Sequence, residues 1–287
     1  MLHRVIALAA LVVVACAHEG SLNEGPLVGR VWDARAGAFV SADELFAAAA
    51  RARHVILGET HDNPEHHRLQ RRALEALAAR GGDRMLAMEQ LDTDQQAALD
   101  AARAKGGDAE AIADAGHFDR KGWNWPLYRP LVQFALQHGW PIAAANLSRS
   151  EARAIVADRS RSALPPAPLP VERALERDII DGHCGAAPEP KRLAGMVQAQ
   201  RARDARMAEV LSRHERTVLI AGIGHARRDR GVPLYLPGGA DVISLAFVEV
   251  QPGKSAPREY FDGFASAASY DYLWFTERAA REDPCKQ

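Results

Sequence analysis

Cysteine is scarce in this chain: three residues among 287, at positions 16, 184 and 285. No Cys-x-x-Cys pair occurs, and no Cys-x-x-Cys-His, so neither a dithiol redox centre nor covalent c-type haem attachment is supported. Net charge is lacking too. With 36 Lys and Arg against 37 Asp and Glu the formal charge is −1, and no broad field calls for nucleic acid or an anionic membrane surface. There is no Gly-x-Ser-x-Gly elbow and no His-Glu-x-x-His helix, so serine-hydrolase and zincin chemistry are without their usual signatures. No repeat of fixed period is visible. What is plentiful is apolar residue, 47% of the chain, much of it alanine, in keeping with a helix-rich globular protein able to bury a substantial core.

The N-terminal apolar run is too short to span a bilayer, which takes about 20 residues. His3-Arg4 precedes Val5 to Ala15, and the run ends Val13-Val14-Ala15-Cys16. That is the pattern of a secretory signal peptide closing on a lipobox, with Cys16 the expected lipidated first residue of the mature protein. Residues 17–30 then read as a tether and 31–287 as a single domain. Ala17, in place of Asp, resembles the pattern that lets a lipoprotein move on to the outer membrane. The expected location is therefore the cell envelope, with the lipid as the membrane contact. In that oxidising compartment Cys184 and Cys285 could form one disulfide.

Along the domain, short apolar segments alternate with helical ones. Val55 to Leu57, Arg84 to Gln90, Pro141 to Asn146, Thr217 to Gly222 and Asp241 to Val250 read as buried strands, since each is apolar along its length and bounded by breakers. A small hairpin is expected from Val31-Trp32 and Ala38 to Val40. Ser41-x-x-Glu44 is a capping box, and Asn63-Pro64 places an N-cap and a first-turn proline at the start of the helix after the first core strand. The alternation predicts an α/β fold with a mainly parallel central sheet covered by helices on both faces, and a helical insertion between the third and fourth core strands.

In such sheets ligands bind beyond the carboxyl ends of the strands. Glu59 and His61, Glu89, Asn146 and Arg149, and Gly224-His225 all fall at that edge. Gly58-x-x-His61 and Gly222-x-x-His225 repeat one spacing at two strand ends, where a glycine lets the backbone turn and a histidine reach inward. His61, His225, Glu59 and Glu89 could together hold a divalent metal, or pair a base with an acid. His66 and His67 sit in a first helical turn, where the dipole favours the neutral imidazole that ligates metals. The bland alternative is two polar strand ends in unrelated surroundings. An aromatic loop, Trp123-Asn-Trp125-Pro126, leads into a helix carrying Tyr128.

Taken together, Gly58-Glu-Thr-His-Asp-Asn63 with His66-His67, Met88-Glu89, Trp123-x-x-x-x-Tyr128-x-Pro130, Ala145-Asn146-x-x-Arg149, His183-Cys184-Gly185, Ala199-Gln-x-x-x-Asp204-Ala-x-Met207-Ala208 and Gly222-x-Gly-His225 resemble the ChaN family. These haem-binding lipoproteins belong to the superfamily that includes TIKI, TraB and erythromycin esterase. The resemblance implies non-covalent haem and a part in haem or iron uptake at the envelope, served by uptake components. The wider superfamily implies an alternative, a metal-dependent esterase or peptidase using Glu59, His61, Glu89 and His225. Haem needs an axial ligand, apolar walls and cations for its propionates. Tyr128 offers a phenolate, Trp123 and Trp125 offer walls, and Arg129 and Arg149 offer cations beside Asn146. His61, His66 and His225 are imidazole alternatives, and Tyr260, Tyr270 and Tyr272 further phenols. An open haem edge would favour a homodimer.

Overall fold

A computed structural model describes residues 26–261, 269–282 and 284–286. The signal peptide, Cys16 and most of the expected tether lie outside the described residues. The elements in chain order are β1 (Val31–Asp33), β2 (Ala38–Val40), α1 (Ala42–Arg51), β3 (His54–Glu59), α2 (Pro64–Ala79), β4 (Met85–Asp92), α3 (Gln96–Ala104) and α4 (Ala109–Ala115). They continue with α5 (Trp125–Gln137), β5 (Ile142–Asn146), α6 (Arg149–Ala157), α7 (Leu169–Gly182), α8 (Pro190–Ser212), β6 (Thr217–Gly222), β7 (Val242–Glu249) and β8 (Tyr272–Thr276).

One eight-stranded sheet runs β2-β1-β8-β7-β3-β6-β4-β5. It is mixed. The strands from β8 to β5 are parallel to their neighbours, whereas β1 is antiparallel to both β8 and β2. The expected mainly parallel sheet is corrected accordingly. Two features escaped the sequence pattern: the N-terminal hairpin joins the main sheet, and β8 supplies the strand it joins. Tyr272-Leu-Trp-Phe-Thr276 is only five residues long and sits in a tail without clear periodicity.

Strand alternation divides the core. Val55, Leu57, Leu86, Met88, Val218 and Ile220 face α1 to α5, while Ile56, Ala87, Leu219 and Ala221 face α8. Helices thus cover both faces, as expected, and α6, α7 and α8 all lie between β5 and β6 in the chain. The domain also begins earlier than residue 31. Leu27 is buried in the α8-side core, and Gly29 and Arg30 exchange backbone hydrogen bonds with Phe275.

Local chemistry sets the element ends. The capping box at Ser41 and Glu44 is present. Asn63 caps α2 through its side-chain oxygen, which accepts from Glu65 N–H at 2.9 Å, with Pro64 in the first turn. Chain order 3-4-5-6 against sheet order 3-6-4-5 puts a topological switch beside β6, and there the carboxyl ends of β3, β6 and β4 leave a crevice.

Cys184 and Cys285 are joined, closing a loop across 101 residues and tying the tail to the end of α7. In the chain-entropy description a loop of that size restricts the unfolded state by about 3–5 kcal/mol. Replacing both cysteines by serine is expected to lower the melting temperature by roughly 5–15 °C, measured by thermal denaturation against the oxidised protein. An unchanged melting temperature would show that the bridge adds nothing to stability.

Candidate functional site

The site follows from register. Glu59 in β3 lies level with Gly222 in β6, and Met88 in β4 lies level with Ile220, so Glu89 comes one step short of Gly222. Side chains alternate between faces along a strand. Glu59 therefore points toward α2 and α5, and Glu89 points toward α8. Two carboxylates meant to share one cluster start out on opposite sides of the sheet.

On the first side Glu59 is buried and surrounded by donors. Tyr128 O–H donates to its Oε1 at 2.5 Å and His61 Nδ1 lies 3.0 Å from the same oxygen. His67 Nδ1 lies 3.2 Å from Oε2, and His67 Nε2 donates to the His61 carbonyl. The Tyr128 hydroxyl is held far above its ordinary pKa, first by burial and then by the Glu59 charge. His61 is the open member of the group, with 44% of its side chain exposed. Burial of its ring works against the imidazolium, but the hydrogen bond to Glu59 and the charges of Glu89 and Glu59 outweigh it and raise the pKa. Trp123 stands edge-on to the His61 ring, centroids 4.6 Å apart.

On the second side Glu89 Oε2 accepts from Gly222 N–H at 2.7 Å, and Oε1 lies 3.2 Å from His225 Nε2. Asp204 of α8 holds His225 Nδ1 at 2.6 Å. All three are buried. Burial alone would discharge His225, yet Glu89 and Asp204 outweigh it and push its pKa to about 10. Glu89 is held low in turn, because His225, His61 and the Gly222 N–H together outweigh burial. His225 is an imidazolium clamped between two carboxylates.

The two sides meet at Gly222. A Cβ there would stand 2.8 Å from His61 Cε1 and 3.6 Å from Glu89 Oε2. Only a residue without a side chain lets the His61 ring lie over the strand end while Glu89 bonds to the same backbone from the other face. The crevice expected from the two Gly-x-x-His motifs is thus formed. The divalent metal site is not. Among the described residues no group of three or more His, Cys, Asp and Glu is arranged to hold a metal ion. Each histidine is spent on its own carboxylate, because the register separates Glu59 from Glu89.

The remaining residues named from sequence fall in several places. His66 is buried, accepts from Thr60 N–H and bonds Thr276 Oγ1, and burial lowers its pKa to about 4. It fastens the turn and offers no free nitrogen. Asn146 is buried, donating to the Glu89 carbonyl at 3.0 Å and accepting from Arg203. Arg129 and Arg149 are exposed and pair with Glu110 and Asp119. Tyr128 is fully buried, so its oxygen does not face the crevice. Trp125 packs in the core and donates to Glu110. Tyr270 bonds the Ile223 carbonyl, Tyr260 accepts from Gln251 N–H, and Tyr272 lies in β8. Asp204 and Gln200 were not singled out as site residues. Asp204 stands seven residues from both Val197 and Leu211 and Gln200 three from Val197, which hides them in an Ala- and Arg-rich helix, and only their place in the Ala199-Gln-x-x-x-Asp204 motif marks them.

With this geometry the chain can be set beside known proteins. The family model described as haem-binding uptake, Tiki superfamily, ChaN, matches residues 45–236. The chain belongs to that family. A structure titled as cofacial haem binding to ChaN of Campylobacter jejuni is similar at 25% identity, with a TM-score of 0.72, covering 85% of this chain and 95% of that one. More distant likeness extends to a toxin effector domain from Vibrio vulnificus, at 19% identity and TM-score 0.45 over 74% of this chain and 36% of that one. It extends also to the C-terminal region of Pasteurella multocida toxin, at 15% and 0.46 over 84% and 28%. Among curated proteins none matches.

The clamp on His225 makes stability depend on pH. A group whose folded pKa is raised stabilises fully below its unfolded value and loses that contribution as pH rises through the folded value. For His225 the loss is expected between pH 6.5 and about 10. Melting temperatures across that range should fall in the wild type, and His225→Gln should remove this part of the slope while lowering stability throughout. A wild-type curve flat over the range would mean that His225 is not charged in the folded state.

Proposed function

We propose that this protein binds haem non-covalently through His61 and serves haem or iron uptake at the cell envelope, anchored by lipid on Cys16. Family membership supports the choice of ligand. The observation that carries it to this site is the state of His61: its Nδ1 is held by a buried carboxylate while 44% of its side chain is exposed. A carboxylate on Nδ1 fixes the tautomer and leaves Nε2 as the basic atom, the usual arrangement behind a metal-ligating imidazole.

The residues present fit the group. His61 would supply the axial nitrogen, Trp123 an apolar wall, and Arg149 a cation for a propionate. Bound haem would supply an iron for the His61 nitrogen to hold. Tyr128 has a different part here. It fixes Glu59, and through Glu59 it orients His61. No helix among the described residues is long and apolar enough to cross a membrane. Haem binding in the relative is described as cofacial, and two exposed haem faces stacked together would join two copies of this chain.

Haemin titration followed by the Soret band tests the reading. His61→Ala is expected to lose the Soret shift or weaken binding at least tenfold. Tyr128→Phe is expected to keep it while destabilising the fold by about 1.5–3 kcal/mol, since a buried charged acceptor loses a donor. Retention in His61→Ala with loss in Tyr128→Phe would reverse the ligand assignment. Iron and protons compete for the same imidazole, and its pKa is raised. Haemin affinity should therefore strengthen as pH climbs above the ordinary imidazole value, and a pH-independent Kd would count against His61. Light scattering with and without haemin reads the dimer.

A further inference from the structure

α6 and α8 pack antiparallel. Arg206 pairs with Glu151 toward one end, and toward the other Gly195 meets α6 so closely that a Cβ there would collide with the Val156 carbonyl. Beside that contact lies an open groove of about 630 Å³, bordered also by Ile179 of α7. Each helix gives it one stripe at the spacing that keeps residues on a single face. On α6, Ala152 and Val156 alternate with Arg149 and Arg153, and on α8, Met196 and Ala199 lie between Arg192 and Arg203. The stretch from Arg192 to Arg203 is about 16 Å of helix, or three turns.

The charge around this floor is one-sided. Five of the thirteen lining residues are Arg or Lys and one is acidic, in a chain whose 36 cations and 37 acids balance. The one acid, Glu189, accepts from the N–H groups of Lys191 and Arg192 as the cap of α8. Arg149 pairs with Asp119, and Arg203 donates to Asn146. The side chains of Arg153, Lys191 and Arg192 have no ion pair or hydrogen bond among the described residues. Cations without counter-ions therefore stand on both walls of an apolar floor.

We propose that this groove docks an amphipathic helix of a partner protein, with its apolar stripe on the floor and its acidic residues against Arg153 and Arg192. Helix axes pack about 8–10 Å apart, the nearer distance where side chains are small, and Ala152, Ala157 and Ala199 leave that room beside two helices at once. An apolar stripe laid between two ridges is a common mode of helix recognition. Charge complementarity selects the sign of its flanks. A single anionic headgroup would meet one end of the groove and leave the other wall unmatched. A phosphate would look for free helix N-terminal amides, and Glu189 has taken those of α8. Neither His61 nor Trp123 lines the groove, so this interface stands apart from the haem reading.

Fluorescence anisotropy with labelled peptides of about four helical turns, added to the purified protein, tests this. One peptide carries leucine at i, i+3, i+4 and i+7 with glutamate on both flanks. A second keeps the stripe with lysine flanks, and a third scrambles the first. The acidic amphipathic peptide should bind the wild type at least tenfold more tightly than either control. Arg153→Glu with Arg192→Glu should weaken it at least tenfold without lowering the melting temperature, since both side chains are exposed and unpaired. Ala157→Trp, which narrows the groove from its exposed edge, should weaken it as well. The proposal is overturned if the acidic peptide does not bind, if the lysine-flanked peptide binds as tightly, or if the groove variants leave its affinity unchanged. A wild-type dimer seen by light scattering without peptide, and dissolved by the same variants, would give the groove to a second copy of this chain instead. Binding of cis-parinaric acid that those variants abolish, with no peptide bound, would give it to a fatty acid. Either result overturns the partner helix.

Discussion

Everything at the carboxyl edge of the sheet depends on the close contact at Gly222. Three parallel strands end there together, and their register offers one carboxylate to each face. A Cβ at that point would meet the His61 ring, and the ring would have to leave the strand end. Without the ring there, Glu59 and Tyr128 would orient nothing. Without the Gly222 N–H on Glu89, the carboxylate that holds His225 would lack its neutral anchor. One missing side chain thus couples two networks that the sheet otherwise keeps apart.

The two networks are built differently because their surroundings differ. On the α8 side the charges are fully buried, and burial of charge is tolerated only when every ion is paired and hydrogen-bonded. Glu89, His225 and Asp204 meet that condition with three contacts at 3.2 Å or less. On the α2 side the carboxylate is equally buried, but one of its partners reaches water. A similar device closes the other end of this edge, where Arg281 from the tail bonds both Glu249 and Asp62 and so holds the turn that follows β3. The disulfide at Cys285 fixes that tail in turn. Residues far apart in the chain hold a turn of a few residues.

Much of the edge was legible from residue type and spacing alone. Apolar β-branched runs, Asn63-Pro64 and the paired Gly-x-x-His motifs located the strands, the start of α2 and the crevice. Register was not legible, because pairing partners are set by tertiary packing, and a shift of one residue reverses the face of every side chain. The four-residue metal cluster failed on that point. Burial of Tyr128 was hidden as well: an aromatic residue beside Trp123 and Trp125 suits a ligand slot or a core equally, and here Glu59, distant in sequence, decides for the core.

The donors at this edge weigh against the bare divalent ion that the sequence left open. A divalent ion held by protein alone needs three or more side-chain donors converging on one point, with a further position left for water or substrate. Here Glu59 Oε1 is taken by Tyr128 and His61, Glu89 by Gly222 and His225, and His225 by its two carboxylates, while buried Glu59 Oε2 and His67 Nδ1 stand 3.2 Å apart without a hydrogen bond. The strong pairing that spoils the edge as a cage for a bare ion also fixes the direction of the one open ring, because the buried carboxylate of Glu59 holds His61 by its Nδ1.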